Sequence, residues 1–190
     1  MSRTIRNALL ASSVAATLGA PACVAPSPAP SPLGGAPPGV ATGPQARSPV
    51  LGLDPDPELD LATVTADLVA AHNRVRAAHR RAPRTVSGPL AAAAREHARD
   101  MARHRWMSHR GSDLSSPFRR MAAHGYTYRR AGENVAAGYP SVDSVMKGWM
   151  LSPGHRANIL GRFSEIGAAC ATATNGTRYW CVTFGAPPAQ

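Results

Sequence analysis

Lysine and aromatic residues are scarce in this 190-residue chain, and their scarcity narrows the choice of partners. Lys147 is the only lysine, aromatic residues make up 5% of the sequence, and the net charge of +10 therefore comes from arginine. No run of basic residues interleaved with aromatic residues is present, which argues against a nucleic-acid-binding protein. We interpret the charge as a basic surface without a nucleic-acid partner.

The chain also lacks a membrane-spanning segment, which needs about 20 apolar residues. Its N-terminus has Arg3 and Arg6, an uncharged apolar run over residues 8–20, and the small residues Ala20 and Ala22. This order is typical of a signal peptide and its cleavage site. We predict a signal peptide over residues 1–22 and an extracytoplasmic protein, rather than a buried N-terminal helix.

Cys23 directly follows the predicted cleavage point. Lipidation of a new N-terminal cysteine, as in bacterial lipoproteins, would account for it, and simple secretion is the alternative. A lipid anchor at Cys23 is the only membrane contact that we predict from the sequence. Residues 23–60 are rich in proline and are predicted to form a disordered linker, followed by one folded domain over residues 61–188.

Within that domain, apolar residues recur at helical spacing in several segments. They predict helices over residues 62–81, 89–106 and 117–124. A fourth helix follows Ser141, and Pro153-Gly154 is expected to break it. An extended segment is predicted over residues 126–137.

The C-terminal end predicts a β-hairpin, because two strand-like segments flank Asn175-Gly176. If these two residues form the whole loop, Thr174 faces Thr177, and counting outward places Cys170 opposite Cys181. Opposed residues lie within the range that a disulfide accepts. We therefore expect a Cys170–Cys181 disulfide, with two reduced core cysteines as the alternative.

Three candidate functional residues lie outside the predicted helices: His109, Glu133 and His155. Two imidazoles and a carboxylate suit zinc or another divalent metal, and they equally suit acid–base chemistry. Spacing alone does not show that the three side chains meet. The remaining histidines are expected to have ordinary surface or half-buried roles: His72, His79, His97, His104 and His124.

Four ordered motifs and the tail resemble the CAP superfamily, also called SCP/PR-1-like, which includes cysteine-rich secretory proteins, antigen 5 and pathogenesis-related 1 proteins. The spacing resembles its bacterial branch, and the resemblance covers about residues 64–186. It rests on His72-Asn73-x-x-Arg76, His109-Arg110-Gly111, Gly132-Glu133-Asn134-Val135, Trp149-x-x-Ser152-Pro153-Gly154-His155-Arg156-x-Asn158-Ile159-Leu160, Ile166-Gly167 and Tyr179-Trp180-x-x-x-Phe184-Gly185.

The resemblance implies an α+β fold, a three-layer α-β-α sandwich with an open cleft. It further implies that two histidines and two acids line the cleft and that the histidines can hold a divalent metal, often zinc. Matched by motif, the histidines are His109 and His155 and the first acid is Glu133. Ser152 stands where the second acid would be, and Asn134 also lines the cleft.

No single reaction defines this family, so the expected function is binding. We expect a cleft-based module for a lipid, an envelope glycan or a protein, with possible metal binding at His109 and His155, and we do not expect an enzyme. The alternative is a metal-dependent, peptidase-like hydrolase that uses His109, Glu133 and His155. A third hypothesis is a passive envelope protein with an idle cleft, which Ser152 supports.

Overall fold

The computed structural model describes the backbone of residues 23–24 and 57–189, and the side chains of residues 63–189. The predicted signal peptide and most of the predicted linker lie outside these residues. Among the described residues, no helix is both long and apolar enough to cross a membrane.

The elements, in chain order, are β1 (Cys23–Val24), α1 (Pro57–Ala78), β2 (Thr85–Val86), α2 (Gly88–His104), α3 (Pro117–Ala123), β3 (Arg130–Ala137), α4 (Val142–Leu151), α5 (Pro153–Leu160), β4 (Glu165–Thr172) and β5 (Arg178–Ala186).

The strands form one sheet in the order β1-β3-β5-β4-β2 within the described part of the chain. Strands β3, β5 and β4 are antiparallel neighbours, whereas the two-residue strands β1 and β2 pair in parallel at the edges. Because β1 pairs only with Ala136 and Ala137, the outer edge of β3 carries no described strand at Glu133 and Asn134.

Helices cover both faces of the sheet, and each face has its own core. One core joins α1, α4 and α5 to the sheet through the fully buried Leu68, Trp149 and Ile159. The other joins α2 to the opposite face through Ala94, Ala98 and Met101. The α+β fold, a three-layer α-β-α sandwich, is therefore confirmed.

Helix α5 was not predicted, because Pro153-Gly154 was interpreted only as the end of the preceding helix. Proline is well tolerated in the first turn of a helix, where its missing N–H group costs nothing. Here Pro153 begins α5 immediately after the C-cap of α4. His155, expected in a loop, therefore lies in a helix that packs against the core.

Two buried arginines hold the C-terminal end of α5 against the end of α1. Arg76 donates to the carbonyl oxygens of Ile159 (2.8 Å) and Gly161 (3.0 Å). Arg84 donates to the carbonyl oxygen of Asn158 (2.7 Å). The Arg84 guanidinium also lies 4.5 Å from the ring centroid of Phe184. Cations at this end of a helix complement the unpaired carbonyl groups. Arg76, a residue of the first family motif, therefore has a structural role.

The predicted disulfide is wrong, because the hairpin loop is one residue longer than expected. The N–H of Gly176 (φ +80°) donates to the carbonyl of Ala173, and the N–H of Ala173 donates to the carbonyl of Thr177. This is a three-residue loop with glycine in the left-handed region. The register consequently pairs Cys170 with Trp180 and Cys181 with Ala169.

A register change of one residue moves a side chain to the other face of a sheet. Cys170 lies in the core formed with α1, α4 and α5, whereas Cys181 lies in the core formed with α2. Both cysteines are buried free thiols. The alternative of two reduced core cysteines is the one that the structure supports.

We expect Cys170 and Cys181 to remain thiols even when the protein is produced in an oxidising compartment. Native protein should resist alkylation at both positions because both are buried, and alkylation after unfolding without reductant should modify both. Peptide mass spectrometry measures this directly. A peptide pair linked through Cys170 and Cys181 would contradict the register.

Candidate functional site

A buried carboxylate, that of Glu133 on β3, lies at the centre of the site. His109 Nδ1 donates to its Oε1 (2.8 Å), and Arg120 Nη2 donates to its Oε2 (2.8 Å). The Cys181 thiol donates to Oε2 at 3.6 Å. The Glu133 side chain is only 2% exposed. Each oxygen is therefore already engaged by a partner within the protein.

Backbone hydrogen bonds fix the loop that presents His109. His97 Nε2, on α2, donates to the carbonyl of Ser108 (2.7 Å). Arg120 Nη2, on α3, donates to the carbonyl of His109 (3.0 Å) in addition to Glu133. The buried arginine thus joins α3, the His109 loop and β3 at one point.

Burial by itself would raise the pKa of Glu133, because a carboxylate loses solvation in the interior. The hydrogen bond from His109 and the charges of His97 and Arg120 outweigh this effect and hold the pKa below its usual value. The residue is therefore ionised, so His109 must donate from Nδ1. A neutral His109 then has its lone pair on Nε2, where it can accept a hydrogen bond.

The second half of the site lies on the opposite face of the sheet. Asn134 donates to the carbonyl of His155 (3.1 Å), and Asn158 donates to the carbonyl of Glu133 (3.2 Å). His155 Nδ1 and Ser152 Oγ are hydrogen-bonded at 2.9 Å. The His155 ring lies 6.4 Å from that of Trp149. Asn134 and Asn158 therefore both hydrogen-bond backbone groups that border the cleft.

The two halves are joined through Glu133 and Asn134, which are consecutive residues of β3. Burial, and after it the charge of His109, lower the pKa of His155 to about 4. The access of the two rings to solvent differs: the His109 side chain is 34% exposed, whereas His155 is 1% exposed. A ligand therefore meets His109 first.

The structure places His109 against Glu133, and Asn134 and Ser152 against His155. Two further residues of the site were missed by the sequence analysis. His97, expected to have an ordinary role, is fully buried with Nε2 4.0 Å from Glu133 Oε1. Its place on the apolar face of α2 was a usable signal for burial. Arg120 gave no such signal, since it lies in a short helix beside the exposed Arg119.

The donor set does not fit a resident catalytic zinc, which takes three protein ligands and an open position. Among the described residues, no group of three or more His, Cys, Asp or Glu side chains is placed to hold a metal ion. Both Glu133 oxygens are engaged, and Ser152 replaces the other acid. Metal binding at His109 and His155 stays a prediction that rests on two ligands.

Replacing Arg120 with glutamine should destabilise the domain by about 3–5 kcal/mol, because it leaves the buried Glu133 carboxylate without its cationic partner. Arg119→Gln, at the exposed neighbouring position, should change the unfolding free energy by no more than about 0.5 kcal/mol. Urea denaturation of both variants measures the difference. Equal effects would show that the Arg120–Glu133 pair does not stabilise the site.

Stability should fall as the pH drops below about 6.5, the unfolded-state pKa of histidine. Burial lowers the pKa of His72 to about 4. The unfolded chain therefore binds a proton between these two values while the native His72 does not. This histidine alone should cost about 2 kcal/mol between about pH 7 and 5.

His72→Phe should reduce that pH dependence by the contribution of His72, whereas His79→Phe, at an exposed position just after α1, should leave it unchanged. Thermal unfolding across the pH range, followed by circular dichroism, measures the slopes. Equal slopes in both variants and the parent protein would contradict a neutral, buried His72.

Solved structures with the same fold come from bacterial surface and extracellular proteins. An outer surface protein from Borrelia burgdorferi aligns with a TM-score of 0.62 and 19% identity, over 66% of this chain and 94% of that one. An extracellular protein containing a SCP domain from Bacillus anthracis str. Ames aligns with a TM-score of 0.61 and 22% identity, over 67% of this chain and 42% of that one. A cysteine-rich secretory protein from Staphylococcus aureus aligns with a TM-score of 0.56 and 19% identity, over 68% of this chain and 40% of that one. At these identities the likeness concerns the fold.

Sequence comparison identifies the family. The uncharacterized protein YkwD of Bacillus subtilis (strain 168) is 38% identical over 86 residues, which span 45% of this chain and about a third (34%) of YkwD. The model of the CAP family, the cysteine-rich secretory protein family, matches residues 69–184. This match covers more than half of the chain and includes every residue of the site described above. The chain therefore belongs to the CAP, or cysteine-rich secretory protein, family.

Proposed function

We propose that this CAP domain is an extracytoplasmic binding module, not an enzyme, and that its cleft binds an envelope glycan through His109. The observation that carries the proposal is the hydrogen bonding of the Glu133 carboxylate. Both of its oxygens are engaged, by His109 and by Arg120. The carboxylate is thereby assigned to holding the imidazole in place and is not free to accept a proton from substrate.

The other polar groups of the cleft also favour binding over hydrolysis. Burial holds the pKa of His155 at about 4, which makes it a weak base near neutral pH. Its Nδ1 is hydrogen-bonded to Ser152, which precedes it by three residues at the start of α5. This pairing is local, between two residues at the start of one helix.

The ligand class follows from what the accessible group offers. The accessible imidazole, His109, presents Nε2, and a neutral ring accepts a hydrogen bond there from a hydroxyl or amide group. Such groups are abundant on glycans and absent from acyl chains. A glycan therefore suits this site better than a lipid does, and a peptide backbone is the remaining candidate. The solved structures with this fold include outer-surface and extracellular proteins, which supports a location in the envelope or outside it.

The test is retention of the protein on purified peptidoglycan sacculi, with His109→Ala beside His104→Ala as the control. His104 lies on α2 with a 47% exposed side chain. Loss of one hydrogen bond in the cleft should weaken retention by roughly three- to tenfold for His109→Ala. His104→Ala should bind like the parent protein.

Two further measurements separate binding from the hydrolase alternative. Binding should persist in a chelator, and no soluble fragments should be released from the sacculi. Release of fragments that both a chelator and His109→Ala abolish would establish the metal-dependent hydrolase instead. Failure of the parent protein to bind sacculi would overturn the glycan ligand.

A further inference from the structure

A second candidate site lies on the outer surface of α5, away from Glu133. A groove of about 400 Å³ is lined by Arg81, Arg156 and five apolar or partly apolar neighbours, Met150, Leu151, Pro153, Ala157 and Leu160. Its volume is within the range of small-ligand sites. It combines a hydrophobic floor with two cationic side chains and has no acidic lining residue.

Both lining arginines are exposed and have no described anionic partner. Neither Arg81 nor Arg156 forms an ion pair or a side-chain hydrogen bond among residues 63–189. Arg156 is fixed by α5, and Arg81 is held by its backbone N–H, which donates to the carbonyl of Arg76. Two guanidinium groups thus converge on one groove from different elements.

The surroundings add positive charge. Arg76 and Arg84 contact the C-terminal end of α5, and their side-chain hydrogen bonds go only to backbone oxygens within the described part of the chain. Burial, and after it the charge of Arg76, lower the pKa of Arg84 to about 9. Burial also lowers the pKa of Arg76, and the charge of Arg81 acts in the same direction. The cluster therefore repels itself, and an anion in the groove would relieve that repulsion.

Leu151 extends the apolar part of the groove toward solvent. It ends α4 with 86% of its surface exposed, the highest value among the large exposed hydrophobic residues of the described chain. A protruding leucine beside cationic side chains suits the boundary between lipid headgroups and acyl chains. A small soluble anion would not use this leucine.

We propose that this groove is a docking site for a membrane surface rich in anionic phospholipids, with Arg81 and Arg156 on the phosphate groups and Leu151 inserted between acyl chains. Arginine pairs with phosphate oxygens through its planar fork of donors. The site is independent of the glycan cleft, since Arg156 and its groove lie on the outer surface of α5 whereas His155 faces the core. It would hold the domain at a membrane while the His109 cleft stays free.

The experiment compares partitioning of the full chain onto vesicles of phosphatidylglycerol mixed with phosphatidylcholine and onto vesicles of phosphatidylcholine alone. Comparing variants on both vesicles cancels any contribution of the N-terminal residues, which all variants share. The test variant is R81E/R156E. The matched control is R95E/R103E, which changes net charge equally at two exposed positions of α2 on the other side of the sheet.

Partitioning onto the anionic vesicles should fall by about tenfold or more for R81E/R156E, and by less than about twofold for R95E/R103E. R81Q/R156Q removes the two positive charges without adding negative ones and should give an intermediate loss. It therefore controls for misfolding or repulsion caused by the added glutamates. Leu151→Ser should also weaken partitioning onto the anionic vesicles. Equal losses in the two charge-reversed variants would overturn the proposal, because they would show a diffuse charge effect.

Inorganic phosphate distinguishes a membrane from a soluble ligand. Calorimetric titration with phosphate alone should show no binding to the parent protein at millimolar concentration. Binding that R81E/R156E removes and Leu151→Ser leaves unchanged would assign the groove to a soluble phosphate compound instead. Retention on sacculi should be unchanged in R81E/R156E, so that this proposal and the glycan proposal fail separately.

Discussion

The site depends on one interaction, the enclosure of the Glu133 carboxylate by Arg120 and His109. A buried charge is costly unless it is paired and hydrogen-bonded, and here each oxygen has its own donor at 2.8 Å. Meeting that requirement fixes three segments at once: β3, the helix α3 that carries Arg120, and the loop that carries His109. The exposed imidazole is therefore held on a rigid base although it lies outside regular structure.

The same sheet edge explains how residues far apart in sequence form one cleft. Alternation along β3 sends Glu133 toward α2 and α3, and sends Asn134 toward α5. Each then binds a different layer, one through His109 and the other through the carbonyl of His155. The result is a cleft in which one buried carboxylate is paired with His109 and Arg120. Arg81 and Arg156, which have no described anionic partner, line a separate groove at α5, which gives the two surfaces different chemistries.

Local patterns predicted most elements, and they failed where two local solutions compete. Helices α2 to α4 were predicted close to their observed bounds because their apolar residues follow helical spacing, whereas α1 begins at Pro57, earlier than predicted. Pro153-Gly154 can end one helix or begin another, and only packing of Ile159 into the core decides for α5. Asn175-Gly176 can form a loop of two or of three residues. The difference of one residue separated Cys170 from Cys181, and the Cys181 thiol instead donates to Glu133.

The sequence by itself indicated the family through ordered motifs, and that resemblance implied the three-layer fold and named His109, Glu133 and Asn134 as residues of one cleft. Tertiary structure alone decided the hydrogen-bond partners and the burial of those residues. Arg120 and His97 carry no sequence signal that connects them to Glu133, because their contact spans three separate elements. The pairing of the carboxylate, the burial of His155 and the hairpin register all depend on which side chains meet across the sheet, and sequence spacing does not encode that.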